Sequence, residues 1–281
     1  MAIAELASAL QNQSGLMVRP EEPLASHTPL RVGGPVELWV EAHDESGLIE
    51  FTRQTREHGG KWRIHWPFAD WLVRDGGLRG TVLRLGAQFE RIALSEEHVT
   101  MGSASLWSAL PADLEGGLWD AVRSWPGSVG GLFESGKADE LSKIAVGIKV
   151  MRGGKVVEIS WPADGAPRLG DATVLLSITL RRVSAARSWL AGPDRSGTLF
   201  GAVADTTVAR ELEKAGVLGT RLRRWRLSVT QPGTVVHLGG GTFSDLQMLV
   251  KGIKMRVEKT RGITLETRIP VLGNEPGRRN R

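Results

Sequence analysis

The apolar and polar positions of the chain alternate between the spacing of a strand and that of a helix. Alternation over Val36–Glu41 predicts a strand, and the pattern of Asp44–His58 predicts an amphipathic helix after it. Short strands are predicted at Trp62–His65 and Thr81–Leu85, with a turn at Arg74–Gly77 between them. This mixture is typical of a small α+β domain.

The middle of the chain continues the mixed pattern. A short helix is predicted to start at Ser103–Ala104. Two apolar segments, Val146–Val150 and Val156–Trp161, flank a Gly-Gly pair and predict a β-hairpin, and Thr173–Leu180 predicts a strongly apolar strand.

The last block predicts a further α+β unit. A helix is expected over Asp205–Ala215 with Asp205 as its N-cap, followed by a strand at Thr234–Leu238. Thr242–Arg261 is the most regular helix pattern of the chain, with basic residues in its last turns. A terminal strand is expected over Ile263–Leu272.

The amino-acid composition excludes several kinds of catalytic or structural site. The 281 residues include no Cys and no Tyr, but 10 Trp. A disulfide scaffold, a Cys-ligated zinc, a thiol nucleophile and a phenol acid or base are therefore excluded. The net charge is +5, with a local peak at Arg221–Arg226, which leaves a polyanion or nucleic-acid binder as one hypothesis.

Other site signals are missing from the sequence. The six His have no metal-pair spacing, so no metal is expected, and no Ser lies in a GxSxG elbow. No apolar run has the ~18 residues of a membrane helix, and the N-terminus lacks the basic start of a signal peptide. These features predict a cytoplasmic protein.

Three glycine-containing motifs follow one another along the chain. They are TPLRVGGP at Thr28–Pro35, LVRDGGLRG at Leu72–Gly80 and PGSVGG at Pro126–Gly131. In this order they resemble the MurB family, the UDP-N-acetylenolpyruvoylglucosamine reductases, and the resemblance extends from about Pro23 to Gly273.

The resemblance implies an α+β, MurB-like fold. Its expected parts are two FAD-binding-type α+β domains, of the kind found in PCMH and vanillyl-alcohol-oxidase proteins, and a C-terminal α+β substrate domain. It also implies that NADPH reduces FAD and that hydride then passes to the enolpyruvyl group of a UDP-sugar. The expected boundaries are an N-terminal extension at 1–20, a first domain at 21–90 joined by a returning strand at 267–273, a second at 91–186, a third at 187–266 and a basic tail at 274–281.

The family-equivalent cofactor positions are altered at one place. Where the family has GGGSN beside the FAD pyrophosphate, this chain has Trp66–Asp70, in which Pro67 has no N–H and Asp70 adds negative charge. These changes oppose FAD binding, and some of Trp62, Trp66 and Trp71 are expected to fill space that the cofactor would occupy. The full set of family-equivalent positions is Arg31, Gly33, Gly34, Trp66, Pro67, Phe68, Ala69, Asp70, Trp71, Leu72, Gly127, Ser128, Val129, Gly130 and Gly131.

The family-equivalent catalytic positions differ as well. Glu134 stands where the resemblance places an Arg that steadies the enolate, and Arg268 stands where it places a Glu that assists protonation. Thr198 replaces the Ser that donates a proton and keeps a hydroxyl. Substrate contacts are expected at Gln231 and Arg168.

Three functions remain open from the sequence. The first is a degenerate MurB-type protein, a pseudoenzyme that has weak or lost FAD binding and acts with other proteins of cell-wall synthesis. The second is an active, FAD- and NADPH-dependent UDP-N-acetylmuramate dehydrogenase with Thr198 as proton donor. The third is a nucleic-acid or polyanion binder that uses residues 221–226.

Overall fold

The computed structural model describes residues 2–67, 71–170, 173–183, 199–201, 207–269 and 271–274. The chain divides into two compact units, each built from separated segments. The first unit comprises Met1–Pro20, Leu38–Ala69 and Gly80–Arg195, and the second comprises Glu21–Glu37, Asp70–Arg79 and Ser196–Arg281. The division into three domains expected from the sequence stays a prediction.

Helices and strands alternate along the described residues. The helices are α1 (Ala2–Leu10), α2 (Glu45–His58), α3 (Gly117–Arg123), α4 (Val129–Glu134), α5 (Val208–Lys214) and α6 (Phe243–Arg261). The strands are β1 (Leu16–Pro23), β2 (Pro35–Ala42), β3 (Trp62–His65), β4 (Leu72–Val73), β5 (Leu78–Leu85), β6 (Ile92–Leu94), β7 (His98–Gly102), β8 (Ala145–Arg152), β9 (Lys155–Ser160), β10 (Thr173–Arg181), β11 (Arg221–Leu222), β12 (Trp225–Leu227), β13 (Val235–His237) and β14 (Val271–Leu272).

The first unit contains two sheets. One has the strand order β1-β2-β5-β3, with β3 parallel to β5. The other has the order β6-β7-β10-β8-β9 and is antiparallel throughout. The predicted hairpin is confirmed: β8 and β9 are joined by Gly153 and Gly154, whose φ angles of 60° and 78° suit glycine.

Helix α2 confirms the predicted helix of the first block. The Asp44 side chain accepts a hydrogen bond from the Gly47 amide at 2.8 Å, which satisfies a donor that the first helical turn leaves unpaired. Gly59 ends the helix with φ 68°, a conformation that a Cβ would disfavour.

The second unit is centred on helix α6. Thr242 and Asp245 form a capping box at its start, and Gly262 ends it with φ 67°. Its buried face packs on α5 and on the antiparallel sheet β11-β12-β13. The core of this unit includes Phe200, Leu212, Val217, Trp225, Leu227, Leu246, Leu249, Ile253 and Val257.

Three local predictions were wrong. Ser103 and Ala104 do not start a helix, because their amides donate to Leu176 and Phe89 carbonyls, and the helical turn lies further on at Trp107–Ala109. Helix α5 is capped by Thr207 instead of Asp205, since the Thr207 hydroxyl accepts from the Arg210 amide at 3.3 Å. Asp205 itself lies outside the described residues.

The expected terminal strand over Ile263–Leu272 is also mostly absent. The described part of this segment has one bridge at Thr267 and the short strand β14. Strand β14 is parallel to β4, with Val271 opposite Leu72 and Leu272 opposite Val73.

Candidate functional site

The first two glycine motifs interlock in the second unit. A Cβ at Gly34 would overlap the carbonyl oxygen of Asp75, and a Cβ at Gly77 would overlap that of Pro35. Gly77 also has φ 75°. These glycines are therefore required by the close approach of two backbone segments of the chain itself.

The first glycine motif, Thr28–Pro35, contains an arginine with a strained backbone conformation. Arg31 has φ 52°, an uncommon conformation for a residue with a side chain, and its amide donates to the Thr28 carbonyl at 3.0 Å. Two residues on, a Cβ at Gly33 would lie 2.7 Å from the Cβ of Val73. Arg31 is exposed, so this turn presents a cationic side chain beside a tightly packed backbone.

Asp75 connects the second glycine motif to helix α6. Its carboxylate accepts hydrogen bonds from the Phe243 amide at 2.9 Å and from the Ser244 amide at 3.1 Å. The Ser244 hydroxyl donates to it as well, at 2.8 Å. A carboxylate at this position satisfies unpaired amides and complements the positive end of the helix dipole. An anion site that the fold could offer to a ligand is therefore filled by the chain's own side chain.

We expect the Asp75→Asn variant to lower the free energy of unfolding of the second unit by about 1–3 kcal/mol, because Asn keeps only one acceptor oxygen and no negative charge for the three donors at the start of α6. Urea unfolding followed by circular dichroism measures the change. Glu213→Gln, at an exposed position on α5, is the matched control and should change stability by less than ~0.5 kcal/mol. Equal values for the two variants would contradict the capping role.

The third glycine motif forms the start of helix α4 in the first unit. Ser128 is buried and is the N-cap of this short helix. The first amide groups all donate to oxygens of the same unit: Val129 to the Ser105 carbonyl (3.0 Å), Gly130 to the Ser103 carbonyl (2.7 Å) and Gly131 to the Ser128 hydroxyl (3.3 Å). The turn therefore uses its amide groups in holding the fold together.

Trp66 covers the glycines of this turn. Its side chain is only 6% exposed, and a Cβ at Gly130 would overlap its six-membered ring. A Cβ at Gly127 would lie 3.8 Å from the carbonyl oxygen of Pro67, so the next residue also lies near the motif. Phe68, Ala69 and Asp70 lie outside the described residues.

The other two tryptophans of this region have different surroundings. Trp62 is half-buried in the first unit and packs edge-on against Phe51 of α2, with ring centroids 5.5 Å apart. Trp71 is buried in the second unit immediately before Leu72, which is part of β4.

Glu134 is the last residue of α4. Desolvation by the surrounding protein raises the pKa of its carboxyl above the ordinary value, and the charge of Arg63 on β3 partly offsets this effect. An acidic group thus stands at the position where the family resemblance expects a cation.

The raised pKa predicts a pH-dependent stability. The folded protein holds the Glu134 proton more tightly than the unfolded chain, so the free energy of unfolding should fall as pH rises through the window above the ordinary carboxyl pKa of 4.5. We expect Glu134→Gln to be more stable than the parent at about pH 7 and equal to it below about pH 4. Urea unfolding at several pH values between about 4 and 7 measures the difference in free energy of unfolding between variant and parent. Glu158→Gln, at an exposed position, is the control. A Glu134→Gln advantage that persisted at low pH would contradict the assignment.

Two segments with family-equivalent catalytic positions lie side by side in the second unit. The Gly201 amide donates to the Glu266 carbonyl at 2.8 Å, and the Arg268 amide donates to the Leu199 carbonyl at 2.9 Å. The stem of Arg268 lies next to Gly201, where a Cβ would be 3.4 Å from its Cγ. Thr198 lies outside the described residues, but its neighbour Leu199 pairs directly with Arg268.

The two expected substrate-contact residues belong to different units. Arg168 is exposed in the loop before β10 of the first unit. Gln231 is exposed in the turn before β13 of the second, where its amide donates to the Ser228 hydroxyl at 3.0 Å. Both remain predictions.

The basic peak forms the hairpin of β11 and β12. Arg221, Arg224 and Arg226 are exposed, and Arg223 pairs with Asp245 at 3.0 Å. Trp225 is fully buried between these arginines, so its ring is not available to stack on a nucleic-acid base.

The described residues contain no group of three or more His, Asp or Glu side chains placed to hold a metal ion. In the same residues, no helix is both long enough and apolar enough to cross a membrane.

Sequence reasoning missed two residues of these sites. Asp75 lies within a quoted motif, but its role as a cap for α6 depends on residues about 170 positions away. Arg63 lies in a predicted strand, and nothing in the neighbouring sequence indicates that its charge acts on Glu134. Charge within a motif was the only signal that could have drawn attention to Asp75.

Comparisons with known proteins found relatives among both curated sequences and solved structures. No family model matches the chain. A UDP-N-acetylenolpyruvoylglucosamine reductase from Pelobacter propionicus is 28% identical over 94% of this chain and 100% of its own length. The enzyme of that name from Heliobacterium modesticaldum is 25% identical over 92% of this chain and 91% of its own.

A solved structure shows the fold. The crystal structure of UDP-N-acetylenolpyruvylglucosamine reductase (MurB) from Thermus caldophilus matches with a TM-score of 0.64 at 17% identity, over 92% of this chain and 99% of that one. The fold class is therefore the MurB-like α+β fold of the FAD-binding type. The chain is similar in sequence to the two reductases named above over more than nine-tenths of its length, at 25% and 28% identity.

Proposed function

We propose that this protein is a degenerate MurB-type protein of peptidoglycan precursor synthesis that has lost FAD binding and reductase chemistry and acts there through other proteins. The observation that carries the proposal is the contact of Trp66 with Gly130. At this family-equivalent cofactor position, the space above the glycine is occupied by an indole ring of the same unit.

The hydrogen bonds of the α4 turn support the same proposal. A diphosphate is held by backbone amides at such a turn, but here the first amides already donate within the protein. Pro67 has no N–H to offer, and Asp75 occupies the start of α6 in the second unit. The residues described at these positions do not fit the pyrophosphate of FAD.

The exchanged charges support the loss of chemistry. Glu134 stands in place of a cation, and Arg268 stands in place of a carboxylic acid. An arginine keeps its proton at neutral pH and cannot act as a proton shuttle. Loss of one general acid typically lowers a rate by about 10²–10⁴-fold.

The second candidate is an active UDP-N-acetylenolpyruvoylglucosamine reductase with an altered site. One observation favours it, namely that the Leu199–Gly201 segment still pairs with the Glu266–Arg268 segment. The family-equivalent positions of proton donor and acid would thereby remain neighbours, with the Thr198 hydroxyl as donor. The relatives named above carry this activity in their names.

The flavin content of the purified, full-length protein tests the proposal. We expect no visible flavin absorbance and no quenching of flavin fluorescence when FAD is titrated with the protein. FAD binding is compared with that of a variant in which residues 66–70 read GGGSN, as in the family. Its substitutions are Trp66→Gly, Pro67→Gly, Phe68→Gly, Ala69→Ser and Asp70→Asn. A yellow parent protein would contradict the loss of FAD binding, and NADPH oxidation that requires the enolpyruvyl UDP-sugar would establish the second candidate instead.

The polyanion hypothesis has its own test. Binding to DNA through the arginine hairpin would weaken steeply with salt. Because Trp225 is buried, any such binding would rest on the exposed arginines alone. We expect no binding to a DNA duplex at physiological salt.

A further inference from the structure

Helix α6 carries exposed apolar side chains opposite its buried face. The buried face is complete within the second unit and consists of Leu246, Leu249, Ile253 and Val257. On the other side, Met248 and Met255 are 50% and 60% exposed. These two methionines are not needed for the core of the unit.

The two methionines lie on either side of Gly252, a residue without a side chain. They are seven residues apart, which is two helical turns, or about 10 Å along the axis. Gly252 lies between them on the same side, and a Cβ built there would have no atom within 4 Å. Two flexible apolar side chains thus flank a point where another backbone can approach closely. We call the exposed side formed by residues Met248, Lys251, Gly252, Met255, Arg256 and Lys259 the methionine face.

The charge around the methionines is positive. Lys251, Arg256 and Lys259 are exposed on this side of α6, against one exposed carboxylate, Glu258. At the beginning of the helix Asp245 is paired with Arg223, so it does not offset these cations. A complementary surface must therefore be acidic at its rim and apolar at its centre.

We propose that the methionine face binds an acidic amphipathic helix of a partner protein. Two apolar side chains of that helix would lie against Met248 and Met255, its backbone would approach Gly252, and its carboxylates would face Lys251 and Arg256. The proposal deepens the partner role proposed above and rests on it, but it does not depend on the flavin test.

Two other occupants fit the face less well. An interfacial membrane helix needs a broad apolar side, whereas the broad apolar side of α6 is buried in its own unit and only two methionines are exposed. A second copy of the chain, docked through the same face about a two-fold axis, would bring Lys251 and Arg256 against the same cations. The positive rim thus favours an acidic protein helix.

Photocrosslinking tests the proposal in the full-length protein, produced in the cells that naturally make it. The photoreactive residue benzoylphenylalanine replaces Met255 in one variant and Met248 in a second. In a control variant it replaces Ile49, which is 40% exposed on α2 of the first unit. Crosslinked peptides are then identified by mass spectrometry. We expect both methionine positions, but not position 49, to crosslink to one acidic helical segment of another protein.

Charge reversal provides the second measurement. Lys251→Glu combined with Arg256→Glu should lower the crosslink yield about tenfold or more, while Lys155→Glu on β9 should leave it unchanged. Circular dichroism checks that each variant is folded. Adducts with lipid, with another copy of the chain or with a segment that lacks acidic residues would overturn the proposal. So would yields at positions 248 and 255 no higher than at position 49.

Discussion

The Gly77→Ala variant is expected to lose a large part of the stability of the second unit. The added Cβ would overlap the Pro35 carbonyl, which is backbone and cannot rotate away, and it would also have to accept φ 75°. The unfavourable backbone conformation alone costs about 1–3 kcal/mol, and the overlap adds to it. Against a total stability of about 5–15 kcal/mol, we expect a loss of at least about 3 kcal/mol.

Gly240→Ala separates the two contributions. Gly240 has φ 68° in the same unit, but a Cβ there would meet no atom within 4 Å. We therefore expect this variant to show only the conformational cost of about 1–2 kcal/mol. Urea unfolding of both variants, followed by circular dichroism, gives the comparison. If Gly77→Ala cost no more than Gly240→Ala, the interlock of the two motifs would not be a source of stability.

Trp66 and Gly130 are expected to be strongly coupled in stability. Trp66→Ala removes a buried indole and should cost about 3–5 kcal/mol. Gly130→Ala alone drives a methyl group into the indole ring and should cost about 1–3 kcal/mol. The double variant places the new methyl group in space that the ring has vacated, so its cost should be smaller than the sum of the single costs by about 1 kcal/mol or more.

The double-mutant cycle is measured by urea unfolding of the four proteins. Gly136→Ala is a matched control for the alanine substitution, because nothing lies within 4 Å of a Cβ there, although its φ of 69° carries a conformational cost. We expect Gly136→Ala and Trp66→Ala to be additive. Additive costs for Trp66→Ala and Gly130→Ala would show that the ring does not occupy the space above the glycine.

Local patterns were sufficient for much of the fold. The helices α2 and α6 could be predicted because their caps and their apolar faces lie within the same short segment. The hairpin of β8 and β9 could be predicted because a Gly-Gly pair separates two apolar runs. Helix α4 could not be predicted because its six residues include two glycines, and the carbonyls that accept from its first amides belong to the distant Ser103 and Ser105.

The candidate site was less accessible from the sequence. Substituted positions such as Trp66 and Arg268 could be found by their place in the motifs, but their contacts could not. The packing of Trp66 on Gly130 joins residues 64 positions apart, and no local periodicity reports such a pair. The interaction of Asp75 with the start of α6 is also long-range, and local patterns do not report it. The Asp75 carboxylate accepts from an amide that could otherwise bind an anionic ligand.

The pairing of β14 with β4 has a consequence for the order of folding. The second unit brings together segments near the beginning, the first third and the end of the chain, and the Gly77 carbonyl accepts a hydrogen bond from the amide of Asn274. During synthesis its early segments emerge long before their last partner exists. The second unit can therefore be completed only after residues 271–274 have been synthesised, and until then β4 lacks the strand that pairs with it.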